Sequence, residues 1–127
     1  MARLIVSIFL CGLFLTPLVA SALEPVKGPE FKLQNSRERG NIYERNFQRH
    51  ETIATYEMLD DFFSPEIHDG KITRSIIYYV VVYCEEMKQR VTATELFSGQ
   101  MASGSSWVGS ASGKLDINDI TQKKYCD

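Results

Sequence analysis

The sequence predicts an α+β domain: a mainly antiparallel β-sheet with a short C-terminal helix tethered to it by a disulfide. Three observations carry this. The run Ile76-Ile77-Tyr78-Tyr79-Val80-Val81-Val82-Tyr83 is the most β-prone stretch of the chain, built from β-branched and tyrosine side chains with no polar face at helical period. Cys84 closes that run and Cys126 is the penultimate residue, so a bond between them would staple the tail onto the central strand. Such a bond closes a loop of about 40 residues and stabilises by roughly 4 kcal/mol in the chain-entropy picture. The stretch from Asp116 to Lys124 has a capping residue, early acids, late lysines and the apolar pair Ile117 and Ile120 at i, i+3, which is how a short helix is written.

The elements follow in order. Residues 1–22 read as a secretory signal: basic Arg3, an apolar stretch from Leu4 to Leu15, and the small-residue site Ala20-Ser21-Ala22. The apolar run is too short for a comfortable membrane span and is followed by acidic Glu24. Cys11 follows Leu10 inside that run, a position that does not suit lipid attachment. Export makes an oxidising compartment, periplasm or outer cell surface, the expected setting for the two remaining cysteines. Residues 23–40 carry Pro25, Gly28, Pro29 and Gly40 around the charged run Arg37-Glu38-Arg39 and are expected to form an extended lead-in on which no core depends. Residues 41–127 are the expected folded domain.

Within it, Glu51 to Leu59 fits two templates. As a helix it places Ile53, Tyr56 and Leu59 near one face; as a strand it alternates Ala54, Tyr56 and Met58 with Ile53, Thr55 and Glu57. Ser64-Pro65 and Asp69-Gly70 predict a loop and a tight turn, so Asp60 to Lys71 is expected to connect two elements. Ile72 to Cys84 is a strand with both faces apolar: Ile76, Tyr78, Val80, Val82 and Cys84 on one side, Ile77, Tyr79, Val81 and Tyr83 on the other. After the polar link from Glu85 to Lys88, Arg90 to Phe97 alternates as a second, antiparallel strand. Ser98 to Gly104 is turn-rich, and Ser105 to Ser112 around Trp107 reads as a third strand ended by Gly113.

Ser75, Tyr83-Cys84, Arg90, Phe97-Ser98-Gly99, Met101, Gly104, the run Ser105 to Ser112 and Cys126 together resemble the surface-adhesin protein E family of exported Gram-negative bacterial proteins. The resemblance covers roughly residues 41–126. It implies an antiparallel sheet with a C-terminal helix held by the two cysteines, and it implies that Ile42-Tyr43 and Glu51 to Leu59 are strands. The activity it implies is adhesion without catalysis.

Composition narrows the function classes. Without the signal, thirteen bases stand against sixteen acids, a net charge of −3 that argues against nucleic acid as a partner. No C-x-x-C or H-x-x-x-H spacing suggests zinc, and no cofactor motif is present. His50 and His68 lie in polar, turn-like surroundings that suit solvated side chains better than a catalytic base. Asp60, Asp61, Glu66 and Asp69 lack the order of a calcium loop, and no Gly-x-Ser-x-Gly elbow occurs. The expectation is a non-enzymatic binding protein with no catalytic, metal or cofactor site. Of Phe62 and Phe63, one ring is expected in the core. If the helix covers Ile76, Tyr78, Val80 and Val82, then Ile77, Tyr79, Val81 and Tyr83 lack a cover and form the candidate binding or dimer face. The expected partners are a host matrix protein or a second copy of the chain. A rival reading is a periplasmic lysozyme inhibitor, because Ser110-Ala111-Ser112-Gly113 is similar to the recognition loop of that class.

Overall fold

The computed structural model describes residues 30–127. Residues 1–29, including the expected signal and the first seven residues of the lead-in, lie outside the described residues. Six strands form one antiparallel meander in sequence order: β1 (Lys32–Ser36), β2 (Gly40–His50), β3 (Ile53–His68), β4 (Lys71–Tyr83), β5 (Lys88–Gly99) and β6 (Ser103–Val108). A short β7 (Leu115–Asp116) pairs with the start of β5, and α1 (Asp119–Cys126) ends the chain. From β1 to β6 each strand lies beside its sequence neighbour, so these connections are hairpins. Asp69 and Gly70 both have positive φ, 50° and 73°, as the expected tight turn between β3 and β4 requires.

Ile53 to Leu59 is β, with Ile53 opposite Tyr83 and Leu59 opposite Ile77, while Glu51 and Thr52 form the turn before it. Asp60 to Lys71 is not the expected connection. β3 runs on to His68, and the register jumps between Asp61 and Glu66. Ser64-Pro65 marks a bulge rather than a break, because a proline without an N–H is tolerated where the ladder is already unpaired. Phe62 is the ring in the core, fully buried beside Ile76 and Leu96, while Phe63 is exposed. A second bulge follows Arg45, where Asn46 has φ 57°.

The lead-in also departs from expectation. Part of it pairs with β2 as β1, and Phe31 packs on the cluster of Leu59, Ile77 and Phe97. The third strand stops at Val108, but the chain keeps to the edge of β5: Gly109 N donates to Thr94 O at 2.9 Å and Ser112 N to Val91 O at 2.9 Å. The helix starts three residues later than Asp116. Asp116 is taken into β7 opposite Lys88, and Asn118 caps instead, its Oδ1 accepting from Thr121 N at 2.9 Å.

The disulfide Cys84–Cys126 is formed, with the two Cα atoms 5.6 Å apart. It sets α1 on the face of Val80 and Val82, as expected. Tyr125 fills that junction: its ring stacks on Tyr56 at 4.3 Å and 4°, and it is buried among Ala54, Val80 and Val82. Arg49 Nη1 donates to the backbone oxygens of Tyr125 and Cys126, satisfying carbonyls that the helix end leaves open.

Candidate functional site

The two faces of the sheet carry different chemistry. On the helix side a cleft of about 540 Å³ is lined by Phe47, Tyr56, Tyr125, Glu44, Lys32 and Lys124. Two of its charged groups, Glu44 and Lys124, are committed to holding the helix. Glu44 accepts from the Tyr125 hydroxyl and from Lys124 Nζ, the latter at 2.6 Å. Burial, reinforced by Glu44, pushes the Tyr125 phenol well above the ordinary tyrosine range.

The opposite face holds the four residues expected to lack a cover, and the structure separates them. Ile77 is only 3% exposed, buried between Leu59 and Phe97 under Phe31, Tyr43 and Ala102. The cover that the sequence did not supply comes from the lead-in and from the β5–β6 turn. Tyr79, Val81 and Tyr83 are half-buried. Around Tyr79 and Val81 runs an open groove of about 390 Å³, to which Gln48, Thr55, Glu57 and Thr92 add polar walls. The Tyr79 hydroxyl donates to Glu95 Oε1 at 3.2 Å, and burial, then Glu95, raises its pKa. Lys114 Nζ lies over the Tyr83 ring at 4.4 Å from the centroid. Gln48, Thr55 and Thr92 were not picked out from the sequence, because what brings them to Tyr79 and Val81 is strand register.

The charges on this face are mostly paired. Arg45 holds Glu57 at 3.1 Å, and Lys88 holds Asp116 at 2.7 Å. Arg90 is different. It lies opposite Val81, with Lys88 opposite Tyr83, and its side chain has no hydrogen bond or ion pair among the described residues.

The acids and histidines of the β3–β4 hairpin are spread over separate partners. Asp60 binds Arg37 at 2.5 Å, Asp61 accepts from Met101 N at 2.8 Å, and Asp69 faces Ser110 Oγ at 3.4 Å. Glu66 pairs with Arg39 and lies 3.0 Å from His68 Nε2; the Arg39 hydrogen bond holds its carboxyl below the usual range. The His68 ring stacks on Phe62 at 5.3 Å, and His50 is exposed at the end of β2. Among the described residues no group of three or more metal-ligating side chains converges. Ser110 to Gly113, the loop behind the rival reading, is tied down: Thr94 Oγ1 donates to Ser110 O at 2.8 Å and Val91 N to Ser112 Oγ at 2.9 Å.

No curated protein and no solved structure matches the chain. The sequence profile of surface-adhesin protein E matches residues 33–125, from the second residue of β1 to the tyrosine that anchors α1. That span takes in all seven strands but for one residue, both faces of the sheet and the junction around Tyr125. The chain therefore belongs to the surface-adhesin protein E family.

Proposed function

We propose that this protein is an exported, non-enzymatic adhesin-type protein that binds a protein partner, a host matrix protein by class, through the open half of the sheet face around Tyr79, Val81 and Tyr83. The observation that carries the reading is the contrast between the two concavities. The cleft under α1 spends Glu44, Lys124 and the Tyr125 hydroxyl on the helix, whereas the opposite groove combines half-buried tyrosine and valine with hydroxyl and amide walls. Tyrosine supplies contact area at low entropy cost, which suits recognition. Family membership supports a surface adhesin-like protein, and the signal read at residues 1–22 supports export. No helix among the described residues is long and apolar enough to cross a membrane.

The test is retention of the mature domain on immobilised matrix proteins, with lysozymes run alongside. Tyr79→Lys is the informative variant, because an added acid would sit beside Glu57 and Glu95. A matrix protein held by the wild type and lost by Tyr79→Lys, with Phe47→Ala in the helix-side cleft unaffected, is the expected result. Retention unchanged by Tyr79→Lys rejects the face. Inhibition of lysozyme-driven cell-wall lysis would instead favour the rival class.

A further inference from the structure

Six arginines lie among the described residues, and five have partners. Arg37 meets Asp60, Arg39 meets Glu66 and Arg45 meets Glu57. Arg49 donates to the last carbonyls of α1, and Arg74 Nη2 donates to Phe63 O at 3.2 Å. Arg90 has no side-chain partner, and its Nε, like that of Arg74, is buried without an acceptor. An orphaned buried donor costs its full desolvation penalty, so the folded protein holds a guanidinium whose hydrogen bonding is incomplete. The register places it where that matters. Arg90 stands opposite Val81 and rises from the same side of the sheet, two residue pairs from Tyr83 and beside the groove wall at Thr92. The neighbouring cations are already neutralised, Lys88 by Asp116 and Lys114 by Glu86.

We propose that Arg90 determines the specificity of the open face, and that the partner is a protein segment presenting a carboxylate to Arg90 beside an apolar side chain that covers Val81 and Tyr83. The inference rests on the reading of that face as a protein-binding surface. A guanidinium offers a planar fork of donors that a carboxylate fills two at a time, which both satisfies the charge and fixes orientation. The surroundings favour an isolated acid within a protein over a long polyanion. The whole chain carries a net charge of −2, and Glu57 and Glu95 lie on the same face as Arg90. A sulfated polysaccharide would meet those acids and leave the valine and tyrosine surface uncovered, whereas an acidic peptide segment offers one charge and a hydrophobic neighbour.

The probes are three short peptides of alternating valine with glutamate, glutamine or lysine, and a heparin oligosaccharide, each titrated into the mature 15N-labelled domain. The glutamate peptide is expected to shift the Arg90 Nε–H resonance together with the amides of Val81 and Thr92, the glutamine and lysine peptides not. Arg90→Gln should weaken the glutamate peptide about tenfold, the loss of one charge-assisted contact. Arg90→Lys should recover only part of it, since lysine restores charge but not the fork. Glutamate and glutamine peptides binding alike, or no shift at millimolar peptide, overturns the proposal; so does heparin shifting Arg90 where the peptide does not, which would assign the face to a polyanionic sugar. Failure here is separable from failure of the face. Matrix-protein retention lost in Tyr79→Lys but kept in Arg90→Gln leaves the face standing and removes only the acid from its partner.

Discussion

Reducing the single disulfide of the described domain should release α1 from the sheet while the sheet itself stays folded. Cys84 and Cys126 are 42 residues apart, and the chain-entropy relation gives about 4 kcal/mol for that loop. The contacts that would hold α1 without it can be estimated. Burying Tyr125 is worth about 2 kcal/mol, its stacking on Tyr56 about 1 kcal/mol, and its charge-assisted bond to Glu44 about 2 kcal/mol. The Arg49 cap on the terminal carbonyls adds about 1.5 kcal/mol, and the half-exposed Lys124–Glu44 pair about 0.5 kcal/mol. Together these reach about 7 kcal/mol, against roughly 8 kcal/mol to order the eight helix residues at about 1 kcal/mol each. The docked and released helix are therefore nearly balanced when the bond is cut; with the sheet folded the bond closes only the roughly ten residues beyond β7, worth about 2.7 kcal/mol, and so shifts the ratio about a hundredfold towards docking. Hydrogen exchange with and without reductant reads this directly. Amides near the end of α1 should move to coil-like exchange on reduction while those of β3 and β4 remain protected, and Cys84→Ser/Cys126→Ser should lose up to about 4 kcal/mol in urea. Undiminished protection of α1 after reduction, or an unmoved urea midpoint, would refute the reasoning.

Three other outcomes follow from the same contacts. Tyr125 has its folded pKa raised by burial and by Glu44, so the stability it contributes is complete below about pH 10 and is lost as pH rises beyond that; Tyr125→Phe should flatten the alkaline limb of a stability profile measured in urea. Gly40→Ala would place a Cβ 2.0 Å from the backbone oxygen of Asp61, and should cost about 3 kcal/mol or prevent folding, whereas Gly113→Ala, with open space at that point, should change stability by less than about 0.5 kcal/mol. The open half of the sheet face is expected to support a dimer at micromolar concentration that Tyr79→Lys converts to a folded monomer; sedimentation showing a monomeric wild type would mean that the cover from Phe31 and Ala102 is enough.

Local chemistry determined the elements whose cause is local. The β-branched and tyrosine run fixed β4 and its two faces, Asp69-Gly70 fixed the turn before it, and two cysteines in a chain read as exported pointed to the Cys84–Cys126 bond. The resemblance carried in Ser75, Cys84, Arg90 and Phe97-Ser98-Gly99 pointed to strand for Glu51 to Leu59, which periodicity alone left open, and the structure has strand from Ile53 onward with Glu51 and Thr52 in the turn. What depends on a distant partner was decided only in the folded molecule. Ser64-Pro65 reads as an interruption until β4 is there to hold β3 on either side of the bulge. Asp116 and Asn118 are comparable helix caps in sequence, and pairing with Lys88 removes Asp116 from the choice. Ile77 belongs to an uncovered face until Phe31 and Ala102 close over it. Arg90 is one basic residue among many in the sequence; that the other five described arginines find partners and it does not is a fact of register and twist, because whether a charge is satisfied depends on which residues the fold brings within reach.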